Sequence, residues 1–194
     1  MNQTQKTLNK NRKIAETGIF LALFLGLAYA FCYVPNLEFI TMTAFLSGLL
    51  LGWKRGIFVA LIGEAIFSLA NPFGSSLAFP SLLLAQLISF GFFALLGASF
   101  RIFTLSIMKR SPSLMAFILG ITGLFLTLTY NVITTLSYAL TSGFDVSQTV
   151  ASILSGIPFY LINLIANTIS FSMIITFVLK YVINNYPHYL GESK

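Results

Sequence analysis

Residues 17–34 read TGIFLALFLGLAYAFCYV and form an uninterrupted apolar segment. The basic residues Lys6, Lys10, Arg12 and Lys13 precede it, as in a signal peptide. However, the segment is longer than the roughly 7 to 15 residues of a signal-peptide core, and more apolar segments follow almost at once. Its length approaches the ~20 residues that a helix needs to cross a bilayer. We therefore expect a retained first transmembrane helix.

The rest of the chain repeats this pattern, with apolar segments at 37–53, 56–70, 79–100, 114–140 and 158–183. The segments 37–53 and 56–70 are shorter than ~20 residues, so we expect them to be short helices or shielded by neighbours. Pro158 suits the first turn of the last helix, where a missing N–H costs nothing. The sequence predicts an all-α, polytopic membrane bundle of about six transmembrane helices.

Composition leaves little room for anything outside the bilayer. Hydrophobic residues make up 57% of the chain and charged residues 8%, whereas soluble domains carry about 25% charged residues. We expect one transmembrane domain over residues 1–194, with a basic N-terminus at 1–13 and a short tail at 184–194. Cys32 is the single cysteine, so no internal disulfide can form.

The basic residues predict the orientation. The predicted turns around 35–38, 71–78 and 141–149 contain no lysine or arginine, and the other ends of the segments carry all 11 basic residues: Lys6, Lys10, Arg12, Lys13, Lys54, Arg55, Arg101, Lys109, Arg110, Lys180 and Lys194. The positive-inside rule makes the basic side cytoplasmic. We therefore expect a multi-pass protein of a prokaryotic plasma membrane, with both termini in the cytoplasm.

Motifs for chemistry are missing from the sequence. It contains no G-x-x-x-x-G-K-[ST] phosphate loop, no G-x-S-x-G nucleophile elbow and no H-E-x-x-H zinc motif. The single histidine, His188, is interpreted as a solvated tail residue. The basic clusters lack the stripe or stacking motif of a nucleic-acid-binding protein. We expect no enzyme activity, no catalytic residue, no metal, no cofactor and no nucleic-acid partner.

Polar side chains inside a bilayer are costly, so each needs a partner, a water-filled cavity or a function. A set of such residues lies toward the predicted outer side of the helices and in the outer turns: Asn36, Glu38, Asn71, Gln86, Asn131, Asn163 and Asn167. Asn163 and Asn167 are one helical turn apart on one face. The outward bias of the set favours a substrate site, although hydrogen bonding between helices would also explain each residue singly.

Glu64 is the strongest single candidate for a functional residue. It lies nine positions after Arg55, which is about 13 Å along a helix and near the middle of the membrane. It shares a helical face with Gly56, Ala60 and Ser68, so we expect it to point into the bundle. No intramembrane lysine or arginine is available to pair with it. A neutral, hydrogen-bonded Glu64 and a direct role in binding a ligand or a proton are both consistent with this position.

The first helix carries a stripe of small residues at intervals of four: Gly18, Ala22, Gly26 and Ala30. Such a stripe lets another helix approach closely. The helix that approaches the stripe belongs either to this bundle or to a separate membrane subunit, and composition does not distinguish the two.

Four features together resemble the substrate-binding S component of energy-coupling factor (ECF) transporters. They are the stripe, the turn PNLEF at 35–39, the glycine-rich turn at 48–56 and the sequence NPFG at 71–74. The resemblance covers most of the chain. It implies about six helices, cytoplasmic termini and a vitamin or related nutrient bound near the outer face. It also implies that the stripe meets a membrane coupling subunit, which assembles with two cytoplasmic ATPases.

The sequence therefore predicts the substrate-binding component of an ECF-type importer for a vitamin or related micronutrient, without chemistry of its own. Glu38 and Glu64 favour a nutrient that carries an amine or several hydrogen-bond donors. Two alternatives remain. One is a stand-alone secondary transporter coupled to protons through Glu64. The other is a membrane scaffold whose polar groups only hold helices together.

Overall fold

The computed structural model describes residues 3–186, which form helices joined by short turns, with no strand in that range. The helices are α1 (Gln3–Phe31), α2 (Ile40–Leu51), α3 (Trp53–Leu69), α4 (Pro80–Arg110), α5 (Pro112–Thr141), α6 (Val146–Ile169) and α7 (Thr176–Asn185). A 3-10 turn at Ser76–Ala78 precedes α4, and a π-helical segment at Ser170–Ile175 joins α6 to α7. The all-helical fold predicted from the apolar segments is thus confirmed.

Helix α2 is the centre of the bundle. All of its 12 residues are buried, and it packs against α1, α3 and α4. Its length of about 18 Å is shorter than a bilayer core. The neighbouring helices surround it, as we expected for this short segment. A helix without a charged or strongly polar face needs apolar surroundings, which the neighbouring helices provide here.

One residue, Gly52, separates α2 from α3. Its φ of +84° lies in the left-handed region that glycine adopts without strain. The backbone therefore reverses direction within one residue, and Lys54 and Arg55 lie in the first turn of α3 instead of a loop. Among the other described basic residues, Lys109 and Arg110 lie in the last turn of α4.

Helices α2 and α4 cross at backbone contact. A Cβ atom added to Gly48 would lie 1.8 Å from the carbonyl oxygen of Ala94, and one added to Gly97 would lie 2.0 Å from that of Phe45. Neither position has room for a side chain. The two glycines bring the helices close together, as small residues do in membrane bundles.

The prediction for the start of the last helix is wrong. Pro158 lies inside α6, which begins at Val146, and residues 146–157 belong to the same helix. Asp145 accepts a hydrogen bond from the Gln148 N–H, and the Gln148 side chain accepts one from the Asp145 N–H. This capping box starts the helix three turns earlier than the proline indicated. The Gln148 N–H and the Ser147 hydroxyl hold the pKa of Asp145 below its usual value.

The surface of the bundle is apolar. Ile102, Val146 and Leu140 are 86%, 82% and 78% exposed, and many more large apolar side chains point outward. Four helical segments are long and apolar enough to cross a membrane: Gln5–Phe31, Pro80–Arg110, Pro112–Thr141 and Val146–Asn185. An apolar exterior of this extent fits lipid as the surrounding solvent. The chain is therefore a helical membrane protein.

Helix α1 lies at the edge of the bundle. Only 11% of its most apolar window is buried, against 28% to 39% in the other three long segments. It begins at Gln3, so the basic residues of the predicted N-terminal segment 1–13 are helical from that point. At the other end, His188, Lys194 and the tail from 187 lie outside the described residues.

Candidate functional site

Three asparagines and a glutamate form a hydrogen-bonded chain across α5, α6 and the turn before α2. The Asn167 amide donates to Glu38 Oε1 at 3.1 Å and to Asn163 Oδ1 at 2.7 Å. Asn163 in turn donates to Asn131 Oδ1 at 3.4 Å. The Thr41 hydroxyl also donates to Glu38 Oε1, at 2.6 Å. Four residues that the sequence singled out are thus linked in space.

A second set of neighbouring polar side chains connects α3, α4 and α5. The Ser68 hydroxyl lies 2.7 Å from Glu64 Oε1 and 3.1 Å from Gln86 Oε1, and the Gln86 side chain lies next to the Tyr130 hydroxyl. A hydroxyl carries one proton, so Ser68 donates fully to only one of its two neighbours. Glu64 points into the bundle, as its helical face predicted, and its side chain is 1% exposed.

The two groups are neighbours. The carboxyl group of Glu64 lies within electrostatic range of Glu38, and the Tyr130 hydroxyl lies within range of both. Tyr130 and Asn131 are consecutive in α5, so one helix contributes to both groups. The structure therefore brings six of the predicted site residues into one polar cluster: Glu38, Glu64, Gln86, Asn131, Asn163 and Asn167.

Three atoms of this cluster have no hydrogen-bond partner among the described residues. They are Glu64 Oε2, Asn131 Nδ2 and Asn167 Oδ1. Leaving a buried polar group without a partner costs about 1–3 kcal/mol, so most proteins avoid such groups. Asn167 Oδ1 accepts hydrogen bonds and Asn131 Nδ2 donates them, whereas Glu64 Oε2 accepts when the carboxyl group is ionised and donates when it is protonated. The cluster retains unused capacity of both kinds on α3, α5 and α6.

A small cavity lies beside the cluster. It has a volume of about 150 Å³ and is lined by Glu38 together with Asn36, Cys32, Phe39 and Phe67. Asn36 adopts a left-handed backbone with φ of +58°, which asparagine tolerates better than most residues. Asn36 therefore shapes the turn that carries Glu38, and it borders this cavity.

Asn71 does not join the cluster. Its side chain accepts a hydrogen bond from the Phe73 N–H at 2.9 Å, and its carbonyl accepts one from the Gly74 N–H. These bonds close the turn after α3, which is the usual role of asparagine in such a sequence.

Sequence reasoning missed three members of the cluster: Thr41, Ser68 and Tyr130. Ser68 follows Glu64 by four positions and Thr41 follows Glu38 by three, so helical spacing places each next to its carboxylate. Tyr130 gave no comparable signal, because its role depends on where α5 meets α3 and α4.

The small-residue stripe of α1 faces away from the bundle. Gly18, Ala22, Gly26 and Ala30 are all exposed, and a Cβ atom added to Gly18 or Gly26 would meet nothing within 4 Å. Phe24 and Ala28 provide the buried face of the helix instead. Packing inside this bundle therefore does not explain the stripe.

Comparison of the chain with protein-family models, with curated proteins and with solved structures finds no match. What the site can bind is therefore inferred from its geometry alone.

The cluster is built for hydrogen bonding. Its groups are carboxyls, amides and hydroxyls, and none of the hydrogen bonds described above comes from a lysine or an arginine. Residues 3–186 contain no group of three His, Cys, Asp or Glu side chains that would hold a metal ion. Such a set of groups can donate hydrogen bonds to a polar molecule and accept them from it.

Proposed function

We propose that this chain is the substrate-binding component of an ECF-type importer for a vitamin or related micronutrient. The observation that supports it most is the polar cluster around Glu64 and Asn167, with unpaired atoms on three different helices. Side chains that only hold helices together generally satisfy one another, so three unpaired atoms in one cluster favour a bound molecule. A bound nutrient would complete these hydrogen bonds.

The unpaired atoms suggest what the nutrient carries. Asn167 Oδ1 and, in the ionised carboxylate, Glu64 Oε2 need donors, and Asn131 Nδ2 needs an acceptor. A heterocycle or amide with two N–H groups and one carbonyl or ring nitrogen meets these needs. A positive charge on the nutrient would be favoured by Glu38 and Glu64 together.

The exposed stripe supports the partner that we propose. Its four small residues leave a shallow surface on the outer face of α1, where another helix can approach closely. In this proposal the helix that approaches the stripe belongs to a membrane coupling subunit, which works with two cytoplasmic ATPases. The six crossings are α1 to α5 and the continuous segment from α6 to α7. Both termini are cytoplasmic, and the membrane is a prokaryotic plasma membrane.

Bulky residues in the stripe test this assignment. Ala22→Leu or Gly26→Leu should keep the other helix away, so a coupling subunit and two ATPases should co-purify with the unaltered chain and not with these variants. Ala151→Leu is the matched control, since Ala151 is exposed on α6 and far from the stripe in sequence. Nutrient binding to the isolated variants should be unchanged. An intact complex in both stripe variants would contradict the proposed interface.

A proton-coupled secondary transporter is the second candidate. The observation that favours it is Glu64 itself, a buried carboxyl group in α3 with one oxygen unpaired. Intramembrane carboxyl groups of this kind act as proton relays in transporters. Uptake abolished by an uncoupler at constant cellular ATP would favour this candidate over the importer.

A further inference from the structure

A groove of about 730 Å³ runs between the first half of α1 and the start of α3. One end is lined by Lys6, Lys10 and Lys13, which lie on one face of α1 at steps of four and three residues. The other end is lined by Ile14, Leu21 and Phe58. The groove is thus basic at one end and apolar at the other, and it is separate from the polar cluster.

The position of the groove matches the edge of a bilayer. The apolar segment of α1 begins at Thr17, one helical turn after Lys13, so we expect the lysines to lie at the level of the lipid head groups. Ile14 and Phe58 are more than half exposed, and a Cβ atom added to Gly18 would meet nothing within 4 Å, so the groove is open at this residue. A molecule that fills the groove contacts positive charge at one end of the groove and apolar side chains at the other.

The positive charge of the groove comes mainly from the lysines. Arg55 also lines it, but its guanidinium donates to Glu16 at 2.7 Å, so part of its charge is already balanced. The three lysine side chains are exposed on the same face.

We propose that this groove binds an anionic phospholipid, with the phosphate among the lysines and one acyl chain along Ile14 and Phe58. Charge complementarity selects a phosphate, and the apolar end selects a molecule with a hydrocarbon chain. A free anion would leave the apolar half of the groove unused. Basic pockets between membrane helices at the head-group level are a recognised type of lipid site.

Native mass spectrometry of the purified protein, titrated with phosphatidylglycerol or phosphatidylcholine, tests the proposal. The intact protein should retain phosphatidylglycerol in preference to phosphatidylcholine. The double variant Lys10→Gln with Lys13→Gln should weaken phosphatidylglycerol binding at least about tenfold, since each basic residue contributes appreciably near an anionic head group. The control Lys54→Gln with Lys180→Gln removes the same charge elsewhere and should bind like the unaltered protein. Equal losses in the two double variants would overturn the proposal.

Two further arms test the apolar half of the groove. Ile14→Gln should weaken lipid retention, whereas Leu8→Gln, a substitution of a similarly exposed residue of α1 outside the groove lining, should not. Glycerol phosphate, which has the head group without the chain, should fail to displace the lipid at matched concentration. Displacement by glycerol phosphate would mean that the groove binds phosphate alone and would contradict a lipid site.

Discussion

Glu64 shows most clearly what a single residue imposes on this protein. A carboxyl group that is 1% exposed in an apolar bundle must be held by hydrogen bonds. Ser68 provides one of them at 2.7 Å, and the second carboxyl oxygen has none among the described residues. The residue is therefore better explained by a bound molecule or a proton than by helix packing alone.

Glu64→Gln distinguishes the two candidate functions at this residue. Glutamine keeps one acceptor oxygen in nearly the same place but cannot release a proton. A binding component that uses Glu64 as an acceptor should keep nutrient affinity within about tenfold and should still accumulate the nutrient. Binding assays on the purified variant measure the nutrient affinity, and uptake assays in intact cells measure the accumulation. Loss of accumulation with binding retained would contradict the importer and support a proton-coupled transporter.

For single residues, the sequence was informative where both side chains of a hydrogen-bonded pair lie on one helix. The helical face of Glu64 was predictable from spacing, and Ser68 lies on it. The convergence of Gln86, Asn131 and Asn163 depends on contacts among α3, α4, α5 and α6, which spacing within one helix does not specify. Asn71 looked similar in the sequence, yet its side chain closes a local turn.

Helices α2 and α4 are in close backbone contact at Gly48 and Gly97. Gly48→Ala or Gly97→Ala would place a Cβ atom within 2.0 Å of a backbone oxygen, so the two helices would have to separate. We expect each substitution to destabilise the fold by about 1–3 kcal/mol or more. Thermal unfolding of the protein in detergent, followed by size-exclusion chromatography, measures this loss.

Gly26→Ala is the matched control for that prediction. The same methyl group is added to a helix, but nothing lies within 4 Å of it, and alanine favours the helix more than glycine does. Its stability should equal or exceed that of the unaltered protein. Equal stability of the Gly48 and Gly26 variants would contradict the close crossing.

The boundaries of individual helices were only partly predictable. The apolar segment 114–140 predicted α5 to within two residues of its observed ends at Pro112 and Thr141. The last helix was misjudged because Pro158 was taken as a start signal, whereas Asp145 and Gln148 form the capping box that starts α6. In a lipid-facing helix, neighbouring groups can compensate for the hydrogen bond that an internal proline removes.

The molecule as a whole has two distinct ends. Lys13, Arg55 and Arg101 line one small cavity near the start of α3, while the polar cluster lies further along α3, around Glu64 and Ser68. The positive-inside rule assigns the basic end to the cytoplasm. With the orientation that we propose, the cluster would lie toward the outer side of the membrane, where a nutrient arriving from outside would reach it.

Single cysteines test this orientation. In a Cys32→Ser background, cysteines at Ser76 and Ser147 should react with a membrane-impermeant thiol reagent added to intact cells, because both lie in turns or helix starts away from the basic end. A cysteine at Ser113, an exposed residue at the start of α5, should react only after the cells are opened. Labelling of Ser113→Cys from outside would contradict six crossings with cytoplasmic termini.

Substrate binding by the polar cluster is the central claim, and Asn167 is the residue on which to test it. Its amide donates to both Glu38 and Asn163, and its own oxygen is unpaired. A hydrogen bond to a neutral group contributes about 0.5–1.5 kcal/mol, so Asn167→Ala, which removes the amide oxygen, should weaken nutrient binding by up to about tenfold. Thr168→Ala is the control, since the Thr168 hydroxyl bonds to the carbonyl of Leu164 in the same helix.

The most direct measurement is mass spectrometry of the small molecules released when the purified protein is denatured. The unaltered protein and Thr168→Ala should release the same single compound in stoichiometric amount, with several N–H donors in its structure. Asn167→Ala should release little of it. Equal release from Asn167→Ala and Thr168→Ala, or no retained compound in any of the three proteins, would contradict a substrate site at this cluster.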